Sequence, residues 1–383
     1  YYAQNVGLGV FSVGVVLFFA RVFDMFIDPL IGYISDSYMS RKVMMLLGAI
    51  LLYITFYALT HPAEESGVLY LLFLSLGVYS AWSLLSIPYF ALGSDISNSY
   101  HENTLLSSSR EIFNIFGVLL ALSMPYVYDV AEDAGASLLV LFDTLSIILP
   151  ISLLLCFVFL KEEKRIKNSI GFKKVYNSFI IEILDSKRDF IAFFLNNFAN
   201  AIPATLFLFY VSLVIKSEEL SGLLLLVYFG SGIVTLPLWI YLSKKISKKT
   251  AWMLSMSSAS LFFFFVIFLG EGDIVYFTII TVFSGMSLGA DIALPASIQA
   301  DIAQRSTKKY GQVSGTLFGF FAMLTKLSLA FAVGVSFSLL GLFDFSADAP
   351  NARSLFVLSL LYGVLPVILK ISAILVLKKY QEN

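Results

Sequence analysis

Apolar runs of about twenty residues recur along this 383-residue chain and leave it few ways to fold. A helix crossing roughly 30 Å of hydrocarbon needs about 20 mostly apolar residues. Such runs cover 10–36, 43–60, 67–94, 104–126, 137–160, 190–215, 221–242, 250–269, 274–300, 311–341 and 353–377. They show no period-two alternation, so they read as helices rather than barrel strands. Composition agrees: the chain is 58% hydrophobic and only 13% charged, with mean hydropathy +0.87. A water-soluble domain is about 25% charged. Thirty-seven Phe and 20 Tyr point to lipid as the solvent. One Cys, 10 Pro and 24 Gly exclude disulfide scaffolds, collagen-like repeats and disorder. A net charge of −1 gives no reason to expect nucleic acid. The expectation is an all-α, monomeric membrane protein with eleven transmembrane helices and the lipid bilayer as its main partner.

Loop charge orients the spans. One side holds Arg41, Lys42, Lys161, Lys164, Arg165, Lys167, Lys173, Lys174, Lys187 and Arg188, then Lys244, Lys245, Lys248, Lys249, Arg305, Lys308, Lys309, Lys378 and Lys379. The other has only Lys216 and Arg353 among acids such as Glu64, Glu65, Asp129, Glu132, Asp133, Glu218, Glu219, Glu271, Asp273, Asp344 and Asp348. The basic side is expected in the cytoplasm, so the span 10–36 runs inward. A chain opening at Tyr1 outside the membrane is expected to follow a lost helix. Twelve spans would return both termini of the full-length protein to the cytoplasm, in a cell membrane, with the bacterial inner membrane as the expected setting.

The polar stretch 161–189 divides the spans into a bundle over 1–160, lacking its first helix, and a bundle over 190–383. Phe172, Val175, Phe179, Ile180 and Ile183 interleave with its charges, as in a helix lying on the membrane surface; a regulatory or lipid-binding role is the second reading. The halves echo each other: 67–94 carries Pro88 and exits at Asp95, while 274–300 carries Pro295 and exits at Asp301. Parallel halves suit a carrier whose bundles rock about a central site.

Ionisable groups inside a span are costly unless paired or hydrated, so each is a functional candidate. Arg21, Asp24 and Asp28 share one stripe of the first helix, with the two acids a turn apart. Adjacent carboxylates repel, and call for a bound cation, a shared proton or Arg21 as partner. Below them Gly32, Asp36, Arg41 and Lys42 form a charge clasp in GYISDSYMSRK, a turn that resembles the signature of the major facilitator superfamily. Lys326 lies mid-span and needs a carboxylate partner, with Asp24, Asp28 or Asp291 available, or a water-filled cavity. Asp291 precedes Pro295 by four residues, where a proline frees a carbonyl. Arg110, beside Glu111, either faces a cavity or snorkels outward. Asn196, Asn197 and Asn200 form a polar patch that either bonds neighbouring helices or lines a solute path. Asp143 sits near the outer interface. His61 and His101 fall in loops and Cys156 in an apolar run, so no catalytic or metal-ligand set is visible and no enzyme or cofactor is expected.

The segment FFARVFDMFIDPLIGYISD resembles the second helix of the glycoside–pentoside–hexuronide cation symporters. The resemblance runs in order through the chain: Asp24 and Asp28 with Pro29, Ile87 with Pro88, Arg110, Ala300–Asp301–Ile302 and Lys326. It implies a major facilitator fold of two six-helix bundles. It implies that Asp24 and Asp28 bind the coupling cation, with Ser83 as a hydroxyl ligand and Na+ at the acids as one form. By the resemblance Ser86, Phe90, Arg110 and Lys326, and by their polarity within the spans Arg21, Asn197, Asn200 and Asp291, are expected substrate or coupling residues, with Gly32, Asp36, Arg41 and Lys42 the conformational gate. Three positions depart from the melibiose-carrying members. Ile27 replaces an Asn, removing one oxygen ligand and leaving Na+ and H+ both open. Ser86 replaces the sugar-binding Asp, and Phe90 a Trp.

The expected function is cation-coupled symport of a small polar solute, a sugar or glycoside, by alternating access. A lysolipid or other amphipathic solute, and a sensor that no longer transports, are the alternatives.

Overall fold

The computed structural model describes residues 1–3, 6–63, 66–97, 99–130, 133–160, 172–345 and 350–378, with backbone alone at residue 10 and at 172–176. The described residues form α-helices α1 (Val10–Ser37), α2 (Arg41–Thr60), α3 (Val68–Ile96), α4 (Tyr100–Val127), α5 (Ala134–Phe159), α6 (Phe172–Asp185), α7 (Lys187–Tyr210), α8 (Ser221–Ile246), α9 (Lys248–Phe264), α10 (Ile274–Tyr310), α11 (Ser314–Leu342), α12 (Ala352–Ser359) and α13 (Leu365–Lys378). Wider π turns extend α7 over Val211–Ile215 and join α12 to α13 over Leu360–Val364.

Sequence chemistry sets several helix starts. Ser40 caps α2 by accepting the Val43 N–H, Asp133 caps α5, and Asn351 caps α12. Prolines 29, 88, 125, 150, 203, 237 and 295 lie inside helices. In lipid such prolines are tolerated where neighbouring helices, hydroxyl side chains or local π turns satisfy the freed carbonyls.

Ten stretches among the described residues are long and apolar enough to cross a membrane, beginning with Arg41–Thr60 and ending with Ala352–Lys378. The 28-residue α1 stands beside these ten. The apolar exterior identifies the solvent: Phe11, Phe18, Phe73, Phe113, Phe116 and Phe159 are all exposed, an arrangement water would not tolerate over so large a surface. In α5 only Phe142 is buried. The chain is a multi-pass helical membrane protein.

The chain divides into two compact units. The first comprises Tyr1–Asn98, Phe113–Ile181 and Ala300–Met323; the second comprises Ser99–Ile112, Glu182–Gln299 and Leu324–Asn383. In the first, α3 packs on α1 and α2, and α2 on α5. Tyr2 ties the chain ahead of α1 to this unit by donating to the Leu59 carbonyl at 2.7 Å, and burial pushes its phenol pKa up. In the second, α13 packs on α7 and α9, and α8 on α9. Its core stacks Tyr210 on Tyr362 at 4.3 Å, with the Tyr210 hydroxyl donating to the Val266 carbonyl.

The stretch read as a linker forms α6 from Phe172, and the Phe179 ring meets Phe320 edge-on at 5.3 Å. Lys161, Lys164, Arg165, Lys167, Glu64, Glu65, Glu132, Asp348 and Lys379 lie outside the described residues, as do the side chains of Phe172, Lys173, Lys174 and Val175.

Candidate functional site

The acid pair of α1 lies inside the first unit. Asp24 and Asp28 are 1% and 0% exposed, on the stripe that their four-residue spacing dictates. Ser83, also 1% exposed, comes from α3 and donates its hydroxyl to Asp24 Oδ1 at 3.1 Å. The site therefore gathers two carboxylates and a hydroxyl from adjacent helices, all hard oxygen atoms. Among the described residues no group of three His, Cys, Asp or Glu side chains could hold a metal ion, so a cation here would need hydroxyl or carbonyl ligands besides the acids. A proton needs only one carboxylate.

Arg21 does not join the acids as a partner. Its side chain is exposed, and its guanidinium lies 4.7 Å from the Tyr79 ring centroid rather than being buried with the acids. A cation over an aromatic face gains the attraction of the ring's quadrupole. Ser86 is buried, and the Phe90 ring lies 6.2 Å from that of Phe318.

About two helical turns beyond Asp28, the clasp is built around Asp36 and Arg41. Asp36 accepts the backbone N–H groups of Gly315 at 2.8 Å and Thr316 at 2.7 Å, plus the Thr316 hydroxyl at 2.9 Å. An acid at the first turn of α11 suits the exposed donors and positive end of that helix. Arg41, fully buried, pairs with Asp95 at 2.8 Å, donates to the Ser314 hydroxyl at 2.6 Å, and lies 3.6 Å from Asp36. Ser314 in turn donates to Asp95 at 3.3 Å. Glycines let the backbones meet: a Cβ on Gly32 would overlap the Gly315 carbonyl, and one on Gly319 the Asp28 carbonyl. Lys42 turns elsewhere, donating to the Phe157 carbonyl at the end of α5 at 3.0 Å. The sequence does not mark Asp95, Ser314 and Thr316 as clasp residues: Asp95 reads as a span exit, and hydroxyl residues at a helix start carry no separate signal.

The second unit gathers a different set. Asp291, one of three acids available to match Lys326, is paired with Lys370 of α13. Lys370 also donates to Asn196 Oδ1 at 2.9 Å, while Trp252 and Asn200 donate to Asp291 at 3.2 and 3.4 Å. Asn197 bonds back to the Phe193 carbonyl of its own helix. Arg110 donates to the neighbouring Glu111 at 2.9 and 3.1 Å, with both side chains largely buried. Lys326 is half-buried. Sequence reasoning passed over Lys370 because it stands alone in PVILKISAIL near the basic end of its span, where a lysine reads as topology.

Known proteins share this architecture. The chain is 28% identical over 162 residues to the sodium-dependent lysophosphatidylcholine symporter 1 of Mus musculus, covering 41% of this chain and 30% of that protein. It is 30% identical over 120 residues to the glucuronide carrier protein homolog of Escherichia coli K12, covering 29% of this chain and 26% of that one. The matched stretches thus span under a third of either relative. The crystal structure of the E. coli fucose:proton symporter FucP superposes with a TM-score of 0.65 at 15% identity, over 95% of this chain and 91% of that one, a likeness of fold. Residues 1–381 match the family described as MFS/sugar transport protein, and the chain belongs to that family.

Proposed function

We propose that the chain is a secondary transporter that couples the inward movement of a solute to a cation bound at Asp24 and Asp28. The observation that carries this reading is the burial of both carboxylates with the Ser83 hydroxyl bonded to Asp24. Two acids in a low-dielectric site cannot both stay ionised without a positive partner. A cation entering there changes the charge of the site, and with it the relative stability of the two access states. The symporter and carrier relatives support this coupling.

The transport cycle follows from the clasp. Asp36, bonded to the start of α11, and Arg41, bonded to Asp95 and Ser314, hold one state. Release of those bonds opens the cytoplasmic side, and the bundles 1–160 and 190–383, joined by 161–189, exchange access with α1 as the eleventh crossing. One charge moving down 100 mV supplies about 2.3 kcal/mol. At about 1.4 kcal/mol per tenfold, this supports roughly 50-fold accumulation. Ser86, Arg110, Asn200 and Lys326 are the polar candidates for the solute path, and a sugar or glycoside is the first class to test. The Phe90–Phe318 ring pair favours an amphipathic solute as the second reading, the class named for the mouse relative.

The test is flux in proteoliposomes under an imposed gradient. Labelled glycosides and lysolipids are offered with an inward Na+ gradient, an inward H+ gradient, or neither. Accumulation above the external concentration under one gradient alone supports the reading and names the cation. Equal, purely downhill flux under all three conditions contradicts it.

A further inference from the structure

The second unit contains a buried charge centre of its own, on which α7, α9, α10 and α13 converge. Lys370 is 7% exposed, Asp291 9%, and Asn196 and Trp252 1% each. The Asp291 carboxylate accepts from Lys370, from the Trp252 indole N–H at 3.2 Å and from the Asn200 amide at 3.4 Å. Lys370 donates to Asp291 and to Asn196 Oδ1. An ammonium has three N–H donors, so these two acceptors leave it one donor position among the described contacts. The carboxylate is surrounded by donors, the ammonium only partly by acceptors. The incomplete side of the centre is the cationic one, and it suits an oxygen anion.

Charge balance restricts how such a ligand could enter. The pair is neutral, and an extra bare charge in a buried site is strongly opposed by desolvation. A proton and an anion arriving together leave the total unchanged. We propose that the Asp291–Lys370 pair is a proton-gated anion site, in which protonation of Asp291 releases Lys370 to hold a carboxylate-type group of the solute. This rests on the reading that the chain carries a solute, and it specifies that the solute bears one negative charge. The proton passes from water to an Asp291 oxygen and returns when the anion leaves; no covalent bond changes. The titratable groups facing Asp291 are Lys370 on α13 and the phenol of Tyr228 on α8, which lies within electrostatic reach. The other partners, Asn196 and Asn200 on α7 and Trp252 on α9, are neutral.

Trp252 supplies the readout, because its indole donates to the carboxylate that would titrate. The chain has three Trp, so replacing Trp82 and Trp239 by Phe in the full chain isolates its fluorescence. Gluconate and benzoate are titrated as anions and sorbitol as the neutral control, from mildly acidic to mildly alkaline pH. The anions are expected to shift Trp252 emission, more strongly at the acidic than at the alkaline end of the series; sorbitol leaves it unchanged. Asp291→Asn, which copies the protonated acid, should bind the anions independently of pH. Lys370→Gln should abolish the response and Lys370→Arg keep it. An Asp291→Asn response that retains the wild-type pH slope overturns the proposal, as does a wild type blind to both anions or responding equally to sorbitol. Repeating the titration in Asp28→Asn separates the two readings: an intact anion response beside failed accumulation leaves this site standing on its own.

Discussion

Asp36 and Thr316 meet through two hydrogen bonds, the backbone N–H at 2.7 Å and the hydroxyl at 2.9 Å, both to Asp36 Oδ2. They stand 280 positions apart, so one carboxylate fastens the end of the first described helix to the start of α11. Its other oxygen takes the Gly315 N–H at 2.8 Å and faces Arg41 at 3.6 Å. A single side chain thus takes three donors at a helix start, lies beside a buried guanidinium that Asp95 pairs, and fixes the approach of two backbones.

Asp36→Asn keeps the shape and removes the charge. An amide turns an N–H2 toward donors where an oxygen stood. Hydrogen bonds to charged groups are worth about 1.5–3 kcal/mol each, so the loss should be about 3 kcal/mol. Thermal unfolding in detergent should show a clearly lowered Tm. A variant melting with the wild type would show that the clasp adds no stability to this state.

Gly32→Ala should destabilise the same contact by steric means. The added methyl would overlap the Gly315 carbonyl, and both partners are backbone. Overpacking of this kind costs about 1–3 kcal/mol. Gly14→Ala in the same helix is the control: a Cβ there meets nothing within 4 Å, and helix propensity alone favours Ala by about 1 kcal/mol. Opposite signs in the two melting temperatures are expected. Equal effects would mean that the crossing of α1 and α11 has slack for a methyl group.

Ser83→Ala removes one oxygen from the acid site while leaving both carboxylates. One hydrogen bond or ligand of about 1.4 kcal/mol corresponds to tenfold. The cation concentration giving half-maximal uptake should rise about tenfold, with little change in the maximal rate. Ser83→Thr, which retains a hydroxyl, should recover most of it. An unchanged cation dependence in Ser83→Ala would remove Ser83 from the site.

Lys370→Met should cost about 3–5 kcal/mol, because it strands the Asp291 charge among Trp252, Asn200 and Asn196. Adding Asp291→Asn removes the stranded charge, so the double variant should be more stable than Lys370→Met alone. Additive losses in a double-mutant cycle, read from thermal melts, would mean the pair is not coupled.

Much of this fold is legible in the sequence because lipid imposes one rule on every span. The apolar runs 43–60, 137–160 and 221–242 fall within a few residues of Arg41–Thr60, Ala134–Phe159 and Ser221–Ile246. Where helix and apolar run part company, the excess is largely polar: α10 continues to Tyr310 through IAQRSTKKY, whose Ala, Gln, Arg and Lys favour helix. The π turns after Tyr210 and Ser359 carry no sequence mark, since apolar residues fill both. The Asp24–Asp28 stripe is visible in spacing alone. Its neighbour Ser83 is one of many serines in the spans and became a site candidate only by resemblance. Lys370 was hidden for the opposite reason, because a basic residue near the end of a span usually marks the membrane face. Arg21 shares the spacing of the acids, yet it lies over Tyr79, because spacing selects a helix face and not a partner.

The central claim is that the Asp24–Asp28 site converts a cation gradient into solute accumulation, and Asp28→Asn tests it most directly. Purified wild type and variant are reconstituted at equal density, and labelled solute is followed in two modes: uptake against its gradient driven by the coupling cation, and exchange between equal concentrations on both sides. The account predicts that Asp28→Asn loses uphill uptake while exchange continues, since the site would lack one of the two carboxylates that hold the coupling cation. Uphill accumulation in Asp28→Asn equal to that of the wild type would contradict it.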